Sequence, residues 1–206
     1  LSFREMTQAQ QHMAYALLAS VMSARGVQKT AQIMSLEQIL HDANPKGRFA
    51  RDPKWYFVSI FGKPSVKAAR ICKVAHECLL IGIEKVKPGV HLGEIGRAIG
   101  AHAEVKNCAV VRDYCGHGIG LGFHEMPQVI HYDDGKVNRS PILEQGMTFT
   151  IEPMINLGGY EVITSKLDGW TVTTKDRSLS AQWEHTILVT ENGYEILTLR
   201  KEELIS

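Results

Sequence analysis

The feature that most constrains the fold is a change of period near residue 105. Before it, residues 66–86 carry Ile71, Cys72, Ala75, Leu79 and Ile83 on one side at helical spacing and stop at Lys87-Pro88-Gly89. A second helical stretch, 92–104, sets Ile95 and Ile99 on one face. After it come short strand-like runs: CAVVRDY (108–114), MTFTIEPM (147–154), WTVTT (170–174), SAQWEHTILV (180–189) and YEILTL (194–199). The last two flank Glu191-Asn192-Gly193, a hairpin signal. Helices followed by antiparallel strands predict an α+β domain.

The first 44 residues have a different character. Met13, Leu17, Leu18 and Val21 recur at helical spacing, with Gly26 as a stop, and a second helix is expected from near Thr30 to His41 with Ile33, Leu36 and Leu40. The stretch ANPKGRFARDPK (43–54), with two prolines and a glycine among basic residues, predicts a linker. Residues 1–61 are therefore expected to form a helical segment and linker, and 62–206 a separate domain. The apolar run 13–22 is too short to span a bilayer. Its flank, where Glu5 offsets Arg4, lacks the positive start of a secretory signal.

The balance of 23 basic and 22 acidic side chains gives no polyanion-binding surface, so no nucleic-acid partner is expected. Cys72, Cys78, Cys108 and Cys115 form no CxxC pair. Reduced thiols in a cytoplasmic setting are expected, without a thiolate zinc site.

The stretch YCGHGIGLGFHEMPQ (114–128) invites a phosphate reading, which its spacing rejects. Leu121 stands where the third glycine of a dinucleotide-binding turn belongs, and Pro127 argues against the helix that would follow. No Lys-Ser or Lys-Thr follows, as a Walker loop requires, and Gln128 replaces the second histidine of a zincin helix. What remains is a glycine-permissive backbone presenting His117 and His124, each of them open to a ligand role or to simple satisfaction by backbone groups.

Two carboxylates narrow the choice. Glu152 shares a strand's polar face with Thr148 and Thr150 just before Pro153. Glu184 falls with Gln182 and Thr186 on one face of 180–189, a face that periodicity alone reads as solvent-exposed. One histidine with two carboxylates is a nitrogen and oxygen donor set suited to a divalent cation.

Together YCGHGIG, GFHEMPQVIHY, GMTFTIEPMIN, DGWTVTTKDRSLSAQWEHTILVT and GYEILTLRK resemble the carboxyl-terminal half of bacterial type I methionine aminopeptidases, of the pita-bread metallopeptidase fold. The helical stretch GKPSVKAARICKVAHECLLIGIEKVKPGVHLGEIGRAI is similar to the segment preceding that family's histidine loop, so the resemblance covers about residues 62–203. It implies half of a pita-bread fold, preceded by an unrelated helical segment. It also implies a cytoplasmic, metal-dependent, usually monomeric hydrolase that removes the N-terminal methionine from nascent peptides. No membrane partner is implied, and two divalent ions are, whether Co, Mn, Fe or Zn. By the same resemblance His117, Glu152 and Glu184 are metal ligands, Glu152 also the general base, and His124 a catalytic, substrate-contacting histidine. Phe123 and Trp170 line the methionine pocket, and Gln182 supports the ligands from behind.

The family's two further ligands are aspartates, in patterns like N-x-D-V-T and G-D-T-S-x-M-F, and residues 1–61 contain neither. Their positions fall on Ala43 and Lys54, with Asp42 and Asp52 nearby in sequence without strand character. Two functions follow: a methionyl aminopeptidase of reduced activity, or a non-catalytic protein- or RNA-associated homologue that has lost its metal site. Ligand count discriminates them.

Overall fold

The computed structural model describes residues 3–21, 24–43 and 65–199. The chain divides into two compact units, Leu1–Lys63 and Pro64–Ser206. The first holds α1 (Gln8–Val21) and α2 (Ala24–Ala43), both helical as the periodicity requires. Gly26 does not stop a helix; it lies in the first turn of α2, where the Thr30 hydroxyl donates to its carbonyl at 3.0 Å.

The buried face of this unit also differs from the predicted stripe. Phe3, Ala14 and Met34 are buried, with the Phe3 and Tyr15 rings 5.1 Å apart, whereas Met13 is 72% exposed and Ile33 and Leu36 face outward. Packing between two short helices has selected a face one position away from the richest apolar spacing. The side chains of Leu17, Val21 and Leu40, the predicted linker beyond Ala43, and Asp52 lie outside the described residues.

In the second unit, α3 (Val66–Ile83) begins at Ser65, whose hydroxyl accepts the Ala68 N–H at 3.1 Å, a side-chain cap for a helix start. It packs on α4 (Gly93–Val105): Ile71, Ala75, Cys78, Leu79 and Ile83 of α3 share one core with Ile95, Ile99 and Ala103 of α4. That core continues into the sheets through Val129, Phe149, Ile151, Ile187 and Val189.

Ten short strands follow α4, apart from a single 3-10 turn. They are β1 (Ala109–Val110), β2 (Gly116–Gly118), β3 (Glu125–Val129), β4 (Thr148–Ile151), β5 (Met154–Asn156), β6 (Val162–Thr164), β7 (Val172–Thr174), β8 (Ser180–Gln182), β9 (His185–Val189) and β10 (Tyr194–Ile196). A five-stranded sheet has the order β10-β9-β4-β2-β3, a three-stranded sheet β1-β5-β8, and β6 pairs with β7. Every pairing is antiparallel. β9 and β10 form the hairpin expected at Glu191-Asn192-Gly193, closed by Thr190 N–H donating to the Gly193 carbonyl at 3.0 Å.

The run 108–114, predicted as one strand, contributes only two ladder residues. The run 180–189 is divided at Trp183 and Glu184, opposite a matching division of 147–154 at Glu152 and Pro153. Proline has no N–H to give, so the ladder lapses there on both strands. The register does not shift across the gap. Ile151 pairs with His185 and Met154 with Gln182, which sets Glu152 opposite Glu184 and Pro153 opposite Trp183.

Candidate active site

The glycine-rich stretch is not a loop of turns at its start. Gly116, His117 and Gly118 form β2, held between β3 and β4. The flanking glycines are what permits this: a Cβ at Gly116 would run into the Thr150 carbonyl oxygen, and one at Gly118 into that of Met126. Glycine lets both neighbouring backbones close on the strand that carries His117.

The His117 imidazole is tied on one side. Its Nδ1 lies 3.0 Å from the Gly118 carbonyl oxygen and donates to it, which leaves Nε2 as the ring nitrogen turned toward the cleft. That nitrogen faces Glu152, with Nε2 3.6 Å from Oε1. A ring nitrogen fixed by a backbone carbonyl on its far side is the arrangement of metal-ligating histidines. A neutral ring and an ionised carboxylate at this spacing would be two acceptors that a cation between them would satisfy, so the His117–Glu152 pair fits a divalent ion.

Glu152 is gripped from several directions. The Thr150 hydroxyl donates to Oε1 at 2.8 Å, and Gln182 Nε2 to Oε2 at 3.2 Å. Its backbone N–H donates to His131 Nε2 at 3.1 Å. Burial is the largest influence on its carboxyl and pushes the pKa up, joined by the negative charge of Glu184, against the opposing pull of Thr150, His117 and Gln182. Like charges set opposite each other on paired strands are destabilising. The Glu152–Glu184 juxtaposition is therefore costly without something positive nearby.

Glu184 itself is exposed, as strand periodicity alone suggested. Among the described residues no three histidines, cysteines or acids are grouped closely enough to hold one ion, so His117, Glu152 and Glu184 do not converge as a closed triad. The structure brings two of them into contact and sets the third across the strand gap from Glu152. Asp42 stands near the end of α2, bonded to Gln38 Nε2 at 2.8 Å, and is not on a strand.

A cleft of about 1090 Å³ opens over the pair. His124 and Trp170 line it together with His117, Glu152 and Gln182. The His124 ring lies 4.2 Å from that of His117, and the Phe123 ring 5.5 Å from it. Phe123 and Trp170 are 70% and 80% exposed, so both are wide open to a ligand or to solvent. Two residues that the sequence reading did not single out complete the surroundings, the buried Thr150 and His131. Thr150 was visible as the position two before Glu152 on one strand face, but no local pattern pairs His131 with Glu152.

A model of metallopeptidase family M24 matches residues 8–191 of this chain. The chain belongs to metallopeptidase family M24. Among relatives in that family, the methionine aminopeptidase of Salmonella typhimurium is 62% identical over 148 residues, which cover 71% of this chain and 54% of that protein. The methionine aminopeptidase of Escherichia coli is 58% identical over 146 residues, again 71% and 54% of the two chains. The crystal structure of the methionine aminopeptidase from Rickettsia prowazekii superposes with a TM-score of 0.64 at 53% identity, covering 67% of this chain and 55% of that one. That from Thermotoga maritima gives 0.64 at 40% identity, covering 69% and 56%. The chain thus spans about half the length of the curated relatives it matches. Its α+β architecture is that of the carboxyl-terminal half of the M24 pita-bread fold, and M24 membership implies use of divalent metal ions. Among the described residues no helix is long and apolar enough to cross a membrane.

Proposed function

We propose that this chain carries the histidine–glutamate half of a metal-dependent methionyl aminopeptidase site and acts on the N-terminus of peptides or nascent chains in the cytoplasm. The observation that carries this reading is the His117 ring, fixed by Gly118 so that Nε2 stands 3.6 Å from Glu152 Oε1 in an open cleft. The relatives named methionine aminopeptidases supply the substrate class.

A divalent ion, when bound, supplies Lewis-acid activation of water and of the scissile carbonyl. His117 and Glu152 would hold it, with Glu184 as a further carboxylate across the strand gap. Glu152, its carboxyl raised by burial, is suited to accept a proton from the attacking water. His124, beside His117 in the cleft, is placed to hydrogen-bond the scissile amide. Phe123 and Trp170 offer apolar faces to the methionine side chain, and Gln182 holds the second carboxylate oxygen of Glu152.

Two ligands in contact make a weak site, which favours low activity. The same count supports a second reading, a homologue that binds protein or RNA without catalysis. Titration with Mn2+ or Co2+ and a Met-Ala-Ser cleavage assay separate them. The first reading expects uptake of an ion that is lost in His117→Ala, with slow release of methionine. No uptake at millimolar metal would overturn it in favour of the second.

A further inference from the structure

Thr150 touches both halves of the pair at once. It is 1% exposed, its hydroxyl accepts the His117 N–H at 2.9 Å, and the same hydroxyl donates to Glu152 Oε1 at 2.8 Å. The one competing acceptor, the His117 carbonyl, is 3.5 Å away, so the single hydroxyl proton belongs to the carboxylate. Room for this bridge comes from the missing side chain of Gly116, where a Cβ would sit 3.1 Å from the Thr150 Oγ1. One side chain therefore links the backbone of the strand that carries His117 to the carboxylate that faces its ring.

We propose that Thr150 is a positioning residue that sets the separation of His117 Nε2 and Glu152 Oε1, and with it the bite of the site for a divalent cation. The inference rests on the reading that this pair holds a cation. Without the hydroxyl, Oε1 loses its charge-assisted hydrogen bond, the Glu184 charge goes on repelling the carboxylate, and only the 3.2 Å bond from Gln182 Nε2 to Oε2 still restrains the side chain. A hydroxyl acting on a ligand in this way is worth roughly 10- to 100-fold in metal affinity.

Thr150→Val and Thr150→Ser separate positioning from packing, because valine keeps the shape without the hydroxyl and serine keeps the hydroxyl without the methyl. Co2+ titration of the full chain, followed by calorimetry and by the visible absorption of the bound ion, is the measurement. Thr150→Val is expected to weaken binding at least about 10-fold and to alter the cobalt spectrum. Thr150→Ser is expected to stay within about 3-fold of the parent with an unchanged spectrum, whatever it loses in melting temperature. Should the valine variant fail to fold, Thr150→Ala carries the same expectation without the branched bulk. Parent-like affinity in the valine or alanine variant, or equal loss in serine, overturns the proposal. If the parent takes up no cobalt, the metal-site reading itself falls and takes this inference with it, a pattern distinct from the other failures.

Discussion

His131 Nε2 accepts the backbone N–H of Glu152 at 3.1 Å. The bond stands where the strand ladder lapses before Pro153, so it satisfies a donor that no neighbouring strand takes. With Nε2 accepting, Nδ1 carries the proton, and it has no hydrogen-bond partner among the described residues. The imidazole is fully buried, and burial pushes its pKa down to about 3.

That depressed pKa gives a pH-dependent stability of definite sign. The folded value of about 3 lies below the ordinary 6.5, so the unfolded chain binds the proton first. The contribution is intact above pH 6.5 and drains as pH falls toward 3. Between pH 7.5 and pH 5 the group should cost the fold about 2 kcal/mol. Urea unfolding at the two pH values, in the parent and in His131→Asn, should show that slope in the parent and its loss in the variant. Parallel pH responses would count against a neutral buried His131.

Glu152 works in the opposite sense. Its folded pKa is raised above 4.5, so the stabilising protonated form is fully present below that value and is lost as pH rises through the folded pKa. At pH 7.5 without metal the ionised carboxylate burdens the fold. Glu152→Gln is expected to raise the metal-free melting temperature by about 2 °C while abolishing metal uptake. A variant that melts lower and still binds would refute both halves of that expectation.

Gly118 has no room for a methyl group. The obstacle is the Met126 carbonyl of the adjacent strand, which cannot swing aside as a side chain would. Gly118→Ala should therefore cost about 2 kcal/mol in urea unfolding, with metal uptake reduced as β2 moves away from its partners. Unchanged stability would mean that β2 and β3 are not paired as described.

Much of this arrangement was legible in residue order, and what was not has a common physical cause. The helices over α3 and α4 and the turn between β9 and β10 follow from local periodicity, whereas the association of His117 with Glu152 comes from the family resemblance. Gly116 and Gly118 concealed β2, because glycine lowers strand propensity although crowding between strands here demands it. Pro153 announced the end of its own strand, but its effect on Trp183 and Glu184 passes through pairing with residues some thirty positions away. His131 and Thr150 meet their partners across similar long spans, which no local window covers. In α1 and α2, apolar spacing predicted helices correctly but not which face would be buried.

The unshifted register through the strand gap ties the chemistry of this protein to its packing. Slipping β9 by one residue against β4 would bring Trp183 or His185 opposite Glu152, and would turn Ile187 and Val189 out of the core in the same movement. Any drift in the spacing of the two carboxylates is thus penalised as a folding defect before it could be felt at the proposed cation site. Selection for a stable sheet alone would keep the two glutamates face to face, even in a lineage that had ceased to use them.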